Sequence, residues 1–145
     1  MEQYNFRYAE PVDFTEGLPS FASIDVSFIS LNLILPALAK ILVDGGQVVA
    51  LVKPQFEAGR EQIGKNGIVR EISVHEKVLE TVTAFAVDYG FSVKGLDFSP
   101  IQGGHGNIEF LAHLEKTSSP HNDAQTSIKE VVAQAHKEFK KNEEE

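Results

Sequence analysis

The strongest constraint on how this chain can fold is the run from Gln47 to Val52, in which Val48, Val49, Ala50, Leu51 and Val52 follow one another without a polar interruption. Successive side chains of a strand point to opposite faces. Apolar residues at both odd and even positions are therefore expected where a sheet is covered on both sides, as parallel sheets are. The flanks agree. Ile24–Ile29 is β-branched and apolar, a strand candidate. Leu31–Leu42 carries Leu31, Leu35, Leu38 and Leu42 at helical spacing and stops at Asp44-Gly45-Gly46. Pro36 is tolerated best in a first turn, which sets the expected helix start near Leu33. After Lys53-Pro54 comes a polar loop over residues 55–72, with Gly59, Gly64 and Gly67. Ser73 and Glu76 have capping-box spacing ahead of a helix with Val74, Val78, Val82, Phe85 and Ala86 on one face, ending at Gly90. Phe91–Phe98 and Asn107–Leu114 read as strands joined by the turn Ser99–Gly106, hence antiparallel partners. Residues 116–126 read as a Ser/Pro/Asn linker, and Ser127–Lys141 as an amphipathic helix with Ile128, Val131, Val132, Ala135 and Phe139 on one side. The alternation predicts an α/β layered fold, mostly parallel, with one antiparallel strand near the C-terminus.

Composition narrows the function classes. A chain of 145 residues suits one core, and the absence of cysteine excludes disulfides and thiolate metal sites. The longest apolar stretch, around Ile29–Leu35, is interrupted by Ser30 and Asn32 and is far short of the ~20 residues that span a bilayer. The N-terminal residues lack a signal-peptide pattern, so a cytoplasmic location is expected. The net charge of −8 argues against a free-standing nucleic-acid binder. An enzyme of this charge that works on RNA needs a local basic patch or a separate RNA-binding module. None of the five histidines has a metal-ligand spacing. His75 and His136 fall on helices and are expected at the surface, and no nucleophile-elbow pattern is present.

In open parallel sheets, ligands bind at the carboxyl ends of the strands. Two charged residues fall there: Asp25 in the first apolar run and Lys53 at the end of the second. The plainest reading is a salt bridge at the sheet edge. Glu109, in the last predicted strand, is a third candidate, although an exposed strand position would also explain it. An acid, an amine and a second acid on one rim could position and activate a sugar hydroxyl. The segment Gly59–Lys65 approaches a phosphate-binding loop but lacks the Ser or Thr after the lysine. It reads better as a loop over an active site, and Arg60, Lys65 and Arg70 either meet polynucleotide phosphates or belong to a plain solvated loop, two readings of equal weight. Gly103-Gly104-His105-Gly106 lies between two strands and reads as a turn.

Several blocks in order resemble the TlyA family, known as haemolysin A and as ribosomal RNA 2′-O-methyltransferases: Asp25–Leu31, Ala50–Glu57, Gly64–Arg70, Gly95–Ile101 and Gly106–Leu111. The resemblance covers about residues 1–115 and implies part of an FtsJ-like, Rossmann-like class I methyltransferase sheet. The 116–126 linker and the 127–145 helix with its acidic tail follow. It further implies S-adenosyl-L-methionine as cofactor, ribosomal RNA or a ribosomal subunit as partner, and a Lys-Asp-Lys-Glu tetrad. Asp25 matches the Asp of that tetrad, Lys53 its second Lys and Glu109 its Glu. Asn5, Asp25, Val26 and Ser27 match the cofactor-contacting segments. The family's S4 RNA-binding domain, the tetrad's first Lys, the glycine-rich cofactor loop and a ribose-binding acid have no counterpart in this sequence. The resemblance therefore implies the second half of the catalytic domain, expected to be inactive alone, with a sheet edge beside Ile24–Ile29 open to self-association. Two other readings compete: a non-catalytic interaction module, and a haemolysin acting on membranes. The only candidate membrane-active segment is the last helix, whose polar face mixes Lys with Glu, unlike a basic interfacial helix.

Overall fold

The computed structural model describes residues 20–25, 29–58, 68–103 and 106–144, the last four without their side chains. Strands β1 (Phe21–Ile24), β2 (Gln47–Val52), β3 (Phe91–Phe98) and β4 (Phe110–Lys116) form one sheet in the order β1-β2-β4-β3. β1 and β2 are parallel, and β4 is antiparallel to both β2 and β3. β1, β2 and β3 therefore share a direction and β4 is inserted against them, the mixed α/β arrangement expected of a methyltransferase sheet. β1 is an edge of the described sheet, where the sequence leads one to expect pairing.

Helices α1 (Leu31–Ile41), α3 (Ile72–Asp88) and α4 (Ile128–Glu144) pack beside the sheet, and the single turn α2 (Pro54–Glu57) follows β2 directly. α1 touches α3, and α3 and α4 both touch β3. Ala22, Ile24, Val48, Ala50, Val52, Phe110, Ala112 and Leu114 are buried, all of one parity along their strands. The other parity is more open, with Phe21 57% and Val49 36% exposed. Two-sided burial of β2, expected from its continuous apolar run, is thus not found among the described residues, because their helices cover only one face.

Local chemistry moved several boundaries. α1 begins at Leu31, not near Leu33: the Ser30 side chain caps it by accepting from the Asn32 N–H at 3.0 Å. Pro36 therefore sits beyond the first turn. At the other end Lys116 donates to the carbonyls of Ala39 and Leu42, tying β4 to the C-terminus of α1. α3 begins at Ile72 with Glu71 at its cap position and no side-chain cap, so Ser73 and Glu76 make no capping box. β4 runs from Phe110 to Lys116, and Glu109 lies just before it. Residues 116–126 connect β4 to α4 but also run along β3: Val93 N–H donates to His121 O and Asp123 N–H to Val93 O, both at 2.9 Å. Ile128, Val131, Val132, Ala135 and Phe139 of α4 join the same core as the sheet. Among the described residues no helix is long and apolar enough to cross a membrane.

Candidate active site

The carboxyl ends of β1 and β2 and the entry to β4 lie at the same end of the sheet. The β1–β2 register closes at Ile24↔Ala50 and the β2–β4 register at Val52↔Phe110. The next residues outward are Asp25, Lys53 and Glu109. Three residues distant in sequence are thus brought to one rim on neighbouring strands. Lys53 Nζ and Asp25 Oδ1 are 2.5 Å apart, with the lysine side chain 12% exposed and the aspartate 70%. Asp25 is therefore not the buried strand acid that its apolar neighbours imply. It follows β1 and faces solvent, so the lysine lies within the protein and reaches out to its partner. Glu109 is buried, and its Oε2 accepts from Gln55 Nε2 at 2.8 Å. A strand-exposed position for Glu109 does not hold. Gly103 packs against it so closely that a Cβ there would displace the Glu109 carboxylate. The backbone carbonyl of Glu109 accepts from Ser99 N–H at 2.8 Å, closing the turn over the rim.

Two further residues brace this end. Glu57 at the end of α2 accepts from the Ser30 hydroxyl at 2.6 Å and from Leu31 N–H at 2.7 Å. A carboxylate at a helix N-terminus complements the free N–H groups and the dipole there. Burial pushes the Glu57 carboxyl above its ordinary range, and the two hydrogen bonds oppose this. Glu57 holds the segment after Asp25 against the segment after Lys53, a role that spacing alone did not reveal. Gln55 was likewise missed, although it lies two residues beyond Lys53. Its Oε1 is buried without a hydrogen-bond partner.

On the other side of the β4 entry, Asn107 Oδ1 accepts from Val69 N–H at 2.9 Å, and the Val69 carbonyl lies 3.0 Å from His75 Nε2. His75 Nδ1 is 2.7 Å from His136 Nε2. A carbonyl only accepts, so His75 carries its proton on Nε2, and Nδ1 accepts from His136 Nε2–H. His75 is fully buried and His136 half-buried, contrary to the surface positions expected for both. Burial, then His136, hold the His75 ring down to about 4, against the opposing bond to Val69; burial also lowers His136. The signal for His75 was present: it continues the buried stripe of Val78, Leu79, Val82 and Ala86 at helical spacing.

Arg70 is exposed just beyond Val69. Asn5, Val26, Ser27, Arg60 and Lys65 lie outside the described residues. Of the residues expected to meet the cofactor, Asp25 alone is described. Its carboxylate, exposed at a strand end, is engaged by the Lys53 ammonium.

The sequence pattern of the FtsJ-like methyltransferase family matches residues 1–116. The chain belongs to the FtsJ-like methyltransferase family. It is 55% identical over 143 residues to YqxC of Bacillus subtilis (strain 168), provisionally named an rRNA methyltransferase, covering 97% of this chain and 51% of that protein. It is 34% identical over 114 residues to the 16S/23S rRNA (cytidine-2′-O)-methyltransferase TlyA of Mycobacterium tuberculosis, covering 79% of this chain and 42% of TlyA. A solved Streptococcus thermophilus structure, provisionally named a hemolysin, is similar over the whole chain, with 95% identity and a TM-score of 0.96, and 52% of that protein is covered. The chain spans about half the length of these FtsJ-like relatives.

Proposed function

We propose that the full-length protein is an S-adenosylmethionine-dependent ribosomal RNA 2′-O-methyltransferase and that this chain carries its acceptor-side machinery. The observation that carries the reading is the Asp25–Lys53 pair, 2.5 Å apart on the rim that also bears Glu109. The 34% identity to a cytidine-2′-O-methyltransferase supports the choice of ribose oxygen over base. S-adenosylmethionine, when bound, supplies a methyl group on a sulfonium. The ribose 2′-OH is a weak nucleophile, so it needs alignment with that methyl carbon and stabilisation as its oxygen takes the methyl, its proton passes to solvent water and the sulfur leaves as a neutral thioether. Lys53 is assigned to the 2′-oxygen, where its ammonium opposes the charge that develops there. Asp25 holds the lysine head in place, and Glu109, itself held by Gln55, fixes the third side of the acceptor position. These roles are positional and electrostatic. No metal is called for.

The test is chemical. RNA methylated by the full-length protein with methyl-labelled cofactor is digested in alkali, which cleaves only next to a free 2′-OH. The expected label is in an alkali-resistant dinucleotide. Label recovered entirely in mononucleotides, as base methylation gives, overturns the reading. The 145-residue chain alone is expected to transfer no label.

A further inference from the structure

α2 is a single turn, too short to be stable on its own. Pro54 fixes φ at its first position, and the Lys53 carbonyl accepts from Phe56 N–H at 2.9 Å. Three side chains then tie the turn to three other segments. Lys53, at the cap position, pairs with Asp25 beyond β1. Gln55 donates to Glu109 ahead of β4. Glu57 accepts from the Ser30 hydroxyl and from Leu31 N–H at the start of α1. Two of these ties are unfavourable in themselves. Burial works against the Glu57 charge, and Gln55 Oε1 is buried without a hydrogen-bond partner. A turn whose only task was to leave β2 would need neither, since Pro54 already ends the strand.

The ties close a ring. It runs from Asp25 to Lys53 through the ion pair, from Lys53 to Glu57 along α2, from Glu57 to Ser30 through a 2.6 Å hydrogen bond, and from Ser30 back to Asp25 along the chain. The ion pair alone is a poor locator. A lysine ammonium is a point charge on a flexible four-carbon stem, and its partner here is 70% exposed. Where Lys53 Nζ comes to rest therefore depends on the two backbone points from which the lysine and the aspartate spring. Glu57 is the group that fixes those points relative to each other, because it holds the far end of α2 against the start of α1.

We infer that Glu57 is a positioning residue for methyl transfer, locking α2 to the start of α1 and so setting where Lys53 meets the acceptor oxygen. The inference rests on the reading of Lys53 as the group at the ribose 2′-oxygen. Glu57 touches no reacting atom and acts only through Lys53. Its removal therefore costs rate and leaves the affinities for RNA and cofactor in place, because alignment matters in the transition state more than in binding.

The test is a double-mutant cycle in the full-length protein. Glu57→Ala is expected to lower kcat by up to roughly 10²-fold, the loss that a misplacement of about 1 Å brings, with KM for RNA little changed. In a Lys53→Ala background the same substitution is expected to cost nothing further, since residues that act as a unit are not additive. A loss of equal size in both backgrounds is that of a damaged fold and overturns the inference, as does an unchanged kcat in Glu57→Ala alone. If the alanine variant does not fold, Glu57→Gln passes through the same cycle. It keeps the shape and weakens two charge-assisted hydrogen bonds, so a smaller loss with the same dependence on Lys53 is expected, and no loss overturns the inference. A readout without turnover separates this from the reading it rests on. The Lys53 side chain is 12% exposed and that of Lys94 36%. Under an acetylating reagent, with peptides quantified by mass spectrometry, Lys53 is expected to react faster in Glu57→Ala than in wild type while Lys94 keeps its rate. An unchanged Lys53 rate overturns the inference. Faster labelling of Lys53 in a protein whose wild type yields no alkali-resistant product removes the methyltransferase reading and leaves the brace standing.

Discussion

Asn107 and Glu109 are two residues apart, yet they belong to networks of opposite character. Glu109 joins a charged rim where the Asp25 carboxylate is 70% exposed and the Lys53 side chain 12%. Asn107 joins a neutral chain, Asn107 to Val69 to His75 to His136, whose central ring is fully buried. The rim opens to water at the Asp25 carboxylate, while Lys53 and Glu109 lie behind it. The clamp has no net charge and satisfies its buried groups, where leaving one unpaired costs about 1–3 kcal/mol. The difference teaches that one end of the sheet separates shape from charge: the clamp fixes where the backbone lies, and the rim gathers the groups to which the proposed chemistry is assigned.

Acid should expose this division most strongly. His75 in the folded protein is held down to about 4, below the 6.5 of an unperturbed ring. Between those values the unfolded chain binds the proton and the folded chain does not, so stability increases with pH. The contribution is complete above about pH 6.5 and is lost as pH falls toward 4, on the order of 3 kcal/mol if the full shift operates. Urea midpoints measured from pH 7 to pH 4 should fall accordingly, and His75→Gln should flatten the dependence. A flat wild-type profile would erase the contrast. Next in size, Asn107→Ala leaves the Val69 N–H buried without an acceptor and should lower stability by about 1–3 kcal/mol, whereas Asp25→Asn, which keeps an oxygen acceptor for the Lys53 head at the exposed end of the rim, should change it by no more than about 1 kcal/mol. Equal losses in the two denaturation curves would show that both networks are structural.

Much of this arrangement was legible in the residues. The strand Phe91–Phe98 and its antiparallel partner follow from alternation and a short turn, and the carboxyl-end rule places Asp25 and Lys53 together, where they form an ion pair. Other parts were hidden because they depend on long-range packing. Ser30 reads as an interruption in an apolar stretch, and only the structure shows it capping α1 while donating to Glu57. His75 was misjudged because its polarity outweighed its place on the apolar stripe, and its hydrogen-bond partners come from Val69 and from a helix more than sixty positions on. The Ser/Pro/Asn composition of 116–126 signalled a connection but not its pairing with β3. β2 is the instructive case. Its unbroken apolar run announces two covered faces, while the described helices cover one, leaving Val49 and Phe21 open.

Lys53 is the residue on which methyl transfer should turn. Lys53→Ala in the full-length protein should reduce methyl transfer to RNA by roughly 10²–10³-fold, while calorimetry with S-adenosylmethionine returns the wild-type Kd. Undiminished transfer, or loss of cofactor binding in step with activity, would contradict the assignment of this lysine to the acceptor hydroxyl.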